Sequence, residues 1–150
     1  MSVKQDIKGI HIARTLGAQD HAELWDSIHV SKDLKDSLLC QALLNFTLRP
    51  KVSRTVIPLH GVILLVGKPG SGKTSLARGL ASKAAGLLPA KKLAYLEVEP
   101  HSLTSSAMGK TQRAVTELFG QTIAEYAQAG PTFVLLSVAR DHACAFEVAA

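Results

Sequence analysis

The sequence is defined first by what it lacks. It has only two cysteines, Cys40 and Cys144, in no metal-ligand spacing, which excludes a disulfide scaffold and a zinc module and leaves two free thiols as the expectation. Aromatic residues make up 5% of the chain and form no cluster with basic side chains, so a nucleic-acid surface is not expected. Lys and Arg stand singly or in pairs, and the net charge of +5 is read as a solvated surface, open to an anionic ligand. The longest apolar run, Val62 to Val66, is far too short to span a membrane. The first residues, MSVKQDIKGIHIARTLG, hold no continuous apolar stretch, so no signal peptide and a cytoplasmic location are expected. No repeat or low-complexity tract is visible.

What remains is a globular composition of one-domain length, 150 residues with 47% hydrophobic and 19% charged. Residues 1–24 are weakly patterned and read as a leader or the end of an upstream region. Trp25 to Val30 (WDSIHV) reads as a short extended segment. Ser31 is placed to cap a helix over Lys32 to Leu48, with Leu34, Leu38, Leu39, Ala42, Leu43 and Phe46 at helical spacing and Arg49-Pro50 as its stop. Gly61 to Val66 predicts a buried strand, Lys73 to Ala85 a helix, and Leu93 to Val98 a second strand. Lys110 to Gln128 predicts a helix with Val115, Leu118, Phe119, Ile123 and Tyr126 on one face. Thr132 to Leu136 predicts a third buried strand. Strands alternating with helices argue for a parallel sheet of βαβ units.

Between the first predicted strand and its helix lies Gly67-Lys68-Pro69-Gly70-Ser71-Gly72-Lys73-Thr74, followed by Ser75. The spacing Gly-x4-Gly-Lys-Thr is the P-loop pattern. Its glycines permit a tight turn that aims several N–H groups at one anion. The following helix points the positive end of its dipole at the phosphates. A lysine in the place of Lys73 reaches the β- and γ-phosphates, and a hydroxyl in the place of Thr74 ligates Mg²⁺. The plain alternative is a glycine turn with no ligand. The fold class expected is α/β, a P-loop NTPase with a three-layer parallel sheet.

The loop GKPGSGKTSLARGLA resembles the Walker A segment of AAA+ ATPases, usually GPPGTGKT, with Lys68 in the place of the first proline. WDSIHV, the strand entry Leu59-His60-Gly61, and LEVEPHSLTSSAMGKTQRAVTELF resemble the pachytene checkpoint (thyroid-receptor-interacting-protein) family within that group. The resemblance covers Trp25 to Leu136. It implies a partial AAA+ large subdomain over 25–136, ATP and Mg²⁺ as cofactors, self-association in a ring if the module is complete, and HORMA-domain clients. It also implies a pore loop at Ser106-Ala107-Met108-Gly109, where Ala107 replaces a frequent aromatic and Met108 is left either to grip a client or to stand as a solvent-facing loop residue. His29 falls where the family places its base pocket, or is a partly buried loop histidine.

The chain departs from that pattern after Leu136. An active member carries an Asp and a Glu directly after the third strand, one on Mg²⁺ and one on the attacking water. Here Ser137-Val138-Ala139-Arg140 follow and the next acid is Asp141, more than about 10 Å farther along an extended chain. Residues 137–150 therefore read as an atypical tail. A short deletion, a frameshifted end, a fragment, and a catalytically inactive family member each account for it. Glu97 and Glu99 close the second strand, either near the nucleotide or as surface carboxylates. The expected function is an ATP-binding AAA+ protein related to remodellers of HORMA-type clients, or an inactive nucleotide-binding module that modulates an intact relative. A small-molecule kinase lacks support, with no lid arginines or acceptor-site acid. A DNA-linked loader lacks a basic-aromatic cluster. Catalytic residues are not assigned.

Overall fold

The computed structural model describes residues 9–17, 22–53, 55–57, 60–89, 92–99, 110–137 and 143–149. Strand β1 spans Ile10–Leu16. Helices α1 (Ala22–Ser27) and α2 (Lys32–Leu48) precede strand β2 (Val62–Val66). Helix α3 spans Lys73–Leu87 and strand β3 Leu93–Val98. Helix α4 (Lys110–Glu117) passes through one π-helical turn, Leu118–Thr122, into α5 (Ile123–Ala129). Strands β4 (Thr132–Ser137) and β5 (Ala143–Ala149) close the described chain.

The five strands form one sheet in the order β1-β3-β4-β5-β2. Only β3 and β4 are parallel neighbours. β1 joins β3, and β5 joins both β4 and β2, in antiparallel fashion. Because β5 runs against both its neighbours, β2 runs parallel to β4 and β3, and the C-terminal ends of all three lie at one end of the sheet. The three strands expected from the sequence are present with the expected mutual direction. Two further strands come from stretches without a clear sequence pattern. One is β1, inside the residues read as a leader, and the other is β5, inside the atypical tail.

Helices cover both faces. On one, Trp25, Leu38, Ala42, Phe46, Leu76, Ala77, Leu80 and Ala84 pack on Ile63, Leu93, Tyr95, Phe133 and Leu135. On the other, Leu118 and Ile123 pack on Leu96, Val98 and Val134. The Ser31 hydroxyl caps α2, accepting from the Leu34 amide at 3.3 Å as expected from its place in the sequence. WDSIHV is not extended: Trp25 to Ser27 belong to α1, and the Trp25 ring is buried beside α3. Val115, expected on the buried face of its helix, is exposed. The π-helical turn adds a residue between it and Ile123 and shifts the phase of the apolar stripe, so Ala114 packs inward instead.

β2 was expected to be buried on both faces and is not. Ile63 faces the α2–α3 layer at 8% exposure, while Val62, Leu64 and Val66 are 56%, 59% and 69% exposed. The strand stands at the sheet edge, beyond the reach of α4 and α5, which cover β3 and β4. Periodicity cannot distinguish a central apolar strand from an edge strand whose outer face nothing covers.

Candidate phosphate-binding site

β2 ends at Val66, and residues 67–72 turn the chain into α3 at the end of the sheet where β2, β3 and β4 all terminate. In open α/β sheets this end is where ligands bind. The turn has the backbone that its glycines permit. Gly70 and Gly72 have φ of +75° and +82°, in the left-handed region that costs other residues about 1–2 kcal/mol. At Gly67 the limit is space, since a Cβ would sit 3.2 Å from the Ser71 hydroxyl oxygen. Gly72 is also the N-cap of α3, and no side chain caps that end. The first N–H groups of a helix have no carbonyl partner within it. There is no acid in the first turn of α3 to compete for them.

The Lys73 ammonium is folded back over the loop. It donates to the carbonyl of Gly67 at 2.7 Å and to that of Lys68 at 2.8 Å, and lies 3.4 Å from the Ser71 hydroxyl oxygen. An ammonium with three donors thus stands at the mouth of the turn, held by groups that an anion's oxygens can replace. Thr74 and Ser75 are half-buried in the first turn of α3, and Lys68, Pro69, Gly70 and Ser71 are exposed. The nine positions singled out in the sequence, Gly67 through Ser75, thus form the turn after β2 and the first residues of α3. Glycine backbone, free helix end, ammonium and hydroxyl fit a nucleotide's phosphates with a divalent cation.

The acids are placed otherwise. Glu97 is not a surface carboxylate. It is 7% exposed, takes Nη2 of Arg78 on Oε1 at 2.6 Å and Nε of Arg78 on Oε2 at 3.3 Å, and accepts the Tyr95 hydroxyl at 3.1 Å. The hydrogen bond to Glu97 raises the Arg78 pKa against the opposing effect of burial. Burial first, then the Glu97 charge, raises that of Tyr95. The Arg14 guanidinium lies over the Tyr95 ring, 5.2 Å from its centroid. Sequence reading missed Arg78, although a carboxylate inside an apolar strand calls for a cationic partner. Glu99 is exposed at the end of β3, its amide donating to the Gly9 carbonyl. Three strand spacings separate β3 from β2, about 14 Å. His29 is exposed in the segment after α1. Ser137 ends β4 where an acid was looked for, and it pairs with Cys144, which in turn pairs with Leu65 of β2. His101 to Gly109 and Asp141 lie outside the described residues.

A family model described as "ATPase family associated with various cellular activities (AAA)" matches residues 63–137, half of the chain. The chain belongs to the AAA family. The match opens in β2 and closes at the end of β4, so it takes in the phosphate loop and the parallel pair β3–β4. Among AAA relatives, the CD-NTase-associated protein 6 of Pseudomonas aeruginosa is 64% identical over 129 residues, 86% of this chain and 42% of that protein. The pachytene checkpoint protein 2 homolog of Homo sapiens is 33% identical over 107 residues, 69% of this chain and 25% of its own length. The putative pachytene checkpoint protein 2 of Caenorhabditis elegans is 32% identical over 101 residues. The likeness to the pachytene checkpoint proteins expected from LEVEPHSLTSS and its neighbours is thus homology. The chain spans less than half the length of these AAA relatives. Among the described residues no helix is long and apolar enough to cross a membrane.

Proposed function

We propose that this chain binds ATP with Mg²⁺ at Gly67 to Ser75 and turns it over at background rate. The observation that carries the proposal is the Lys73 ammonium, held across the mouth of a glycine turn at the start of α3. ATP, when bound, supplies a phosphoanhydride bond and a triphosphate charge. The loop amides and the α3 N-terminus orient the phosphates, Lys73 exchanges its two carbonyl contacts for phosphate oxygens, and the Thr74 hydroxyl ligates the cation. Among the described residues no group of three His, Cys, Asp or Glu side chains is placed to hold a metal ion.

Slow turnover follows from the carboxylates. β4 runs from Leu136 into Ser137, the Glu97 carboxylate is engaged by Arg78 and Tyr95, and β3 with its Glu99 stands about three strand spacings from β2. Nothing among these positions a water for attack. The cellular role on this reading is that of a cytoplasmic nucleotide-binding member of the ATPases that remodel HORMA-type clients. It joins a ring of related ATPases without contributing hydrolysis of its own.

Competition against a fluorescent ATP analogue tests which part of the ligand is held. ATP and ADP should displace the analogue and AMP should not, with the ATP effect weakened when Mg²⁺ is chelated or Thr74 is changed to Ala. AMP competing as well as ATP would show that the base, not the phosphates, is recognised, and would end the proposal.

A further inference from the structure

The strand that delivers the phosphate loop touches the sheet through one neighbour. Val62 to Val66 pair with Glu147 to Ala143, residue for residue, and β2 has no other strand partner among the described residues. β5 in turn pairs with β4 over residues 144–149, from Thr132 opposite Ala149 to Ser137 opposite Cys144. β2 and β4 are parallel and are held two strand spacings apart by this inserted antiparallel strand. Helices α2 and α3 both pack against β5, so it also lies under the helix that begins with Lys73 and Thr74.

We propose that β5, residues 143–149, is the positioning element of the phosphate site: it fixes β2, and with it Gly67 to Lys73, to the rest of the sheet. The proposal rests on the ATP-binding reading above and adds to it a dependence on a segment remote in sequence from the loop. The physical reason is the lever arm. The loop's N–H groups act together on one anion only if its two ends, Val66 and Lys73, keep their spacing. The Lys73 end is set by packing of α3 on the sheet, and the Val66 end by the ladder to β5, where Val66 itself pairs with Ala143. With the ladder released, Ile63 and the half-buried Leu65 alone tie β2 to the α2–α3 layer, because Val62, Leu64 and Val66 face away from it.

An antiparallel strand between two others directs its amides alternately to one side and the other. Proline at adjacent positions, Ala145→Pro and Phe146→Pro in the full chain, therefore cuts the ladder toward β2 in one variant and toward β4 in the other. Amide hydrogen exchange over 62–66 and over 93–98 is read beside ATP affinity. The variant that speeds exchange at 62–66 should bind ATP at least tenfold more weakly, with 93–98 still protected. If either proline unfolds the chain, Ala145→Gly loosens the strand while keeping its amide, and the same readouts decide. Faster exchange at 62–66 with unchanged ATP affinity would overturn the proposal, as would protection of 62–66 in every variant. A wild-type chain that binds no ATP would instead refute the functional reading. The exchange at 62–66 would then still show whether β5 holds β2.

Discussion

Arg78 grips Glu97 through two nitrogens, Nη2 to Oε1 at 2.6 Å and Nε to Oε2 at 3.3 Å, and so ties helix α3 to strand β3 one and a half turns beyond Lys73. The carboxylate is buried, the guanidinium is partly open to solvent, and the Tyr95 hydroxyl takes up a further lone pair. Charge, geometry and hydrogen bonding close on one another, which is the condition under which a buried ion pair is tolerated. The pair engages the carboxylate that lies inside β3.

Removing one partner should therefore cost more than the pair contributes. Arg78→Ala leaves the Glu97 carboxylate buried with only Tyr95, and should destabilise the protein by about 2–3 kcal/mol. Glu97→Gln keeps shape and part of the hydrogen bonding and should cost less, about 1–2 kcal/mol. Urea unfolding followed by the fluorescence of the buried Trp25 measures both. An Arg78→Ala change within experimental error of wild type would mean that the ion pair is not formed in solution.

Tyr95 gives the protein a dependence on alkaline pH. Burial, and then the negative charge of Glu97, raise its pKa above the ordinary tyrosine value near 10. The native state keeps a proton that the unfolded chain gives up, so this contribution is complete below about pH 10 and is lost as the pH rises further. Its slope is up to about 1.4 kcal/mol per pH unit. Unfolding of wild type and Tyr95→Phe compared between pH 8 and 11 should show the wild type losing stability faster above pH 10. Parallel curves would contradict this.

Gly79 sits inside α3, where glycine costs about 1 kcal/mol relative to alanine. The Gly79→Ala change should nonetheless destabilise. The new Cβ would lie 3.1 Å from Cα and 3.2 Å from the backbone nitrogen of Trp25, and relieving that contact means moving α1 away from α3. The melting temperature should fall by several degrees with a shift in Trp25 emission. A rise would show that α1 is free to move.

The legible parts of the fold were those governed by local chemistry. The cap at Ser31, the stop at Arg49-Pro50, the glycine turn with its positive φ values at Gly70 and Gly72, and the β4 core of Phe133, Val134 and Leu135 all follow from residue types at fixed spacing. The illegible parts were set by partners distant in the chain. Ile10 and Ile12 alternate as a strand would, but His11 and Arg14 blur the signal, and their ladder partner lies some eighty residues later, from Leu93 to Val98. Trp25 is helical because the backbone of α1 packs closely on Gly79 of α3 and its side chain is buried in the core there, which WDSIHV by itself does not reveal. The outer face of β2 looks like core because Val62, Leu64 and Val66 are apolar, and only the reach of α4 and α5 decides that it is not. In the site, the turn before α3 was readable from its glycines. The fate of Glu97 was not, because Arg78 reaches it from a helix nineteen residues earlier.

The most direct test is ATP affinity and ATP turnover measured on the same preparations of wild type and Lys73→Ala. The account predicts that wild type binds ATP with Mg²⁺, that Lys73→Ala weakens binding at least tenfold, and that turnover is at background in both. Hydrolysis by wild type at an ordinary enzymatic rate, abolished in Lys73→Ala, would contradict it and require a catalytic carboxylate other than the Glu97 that Arg78 holds.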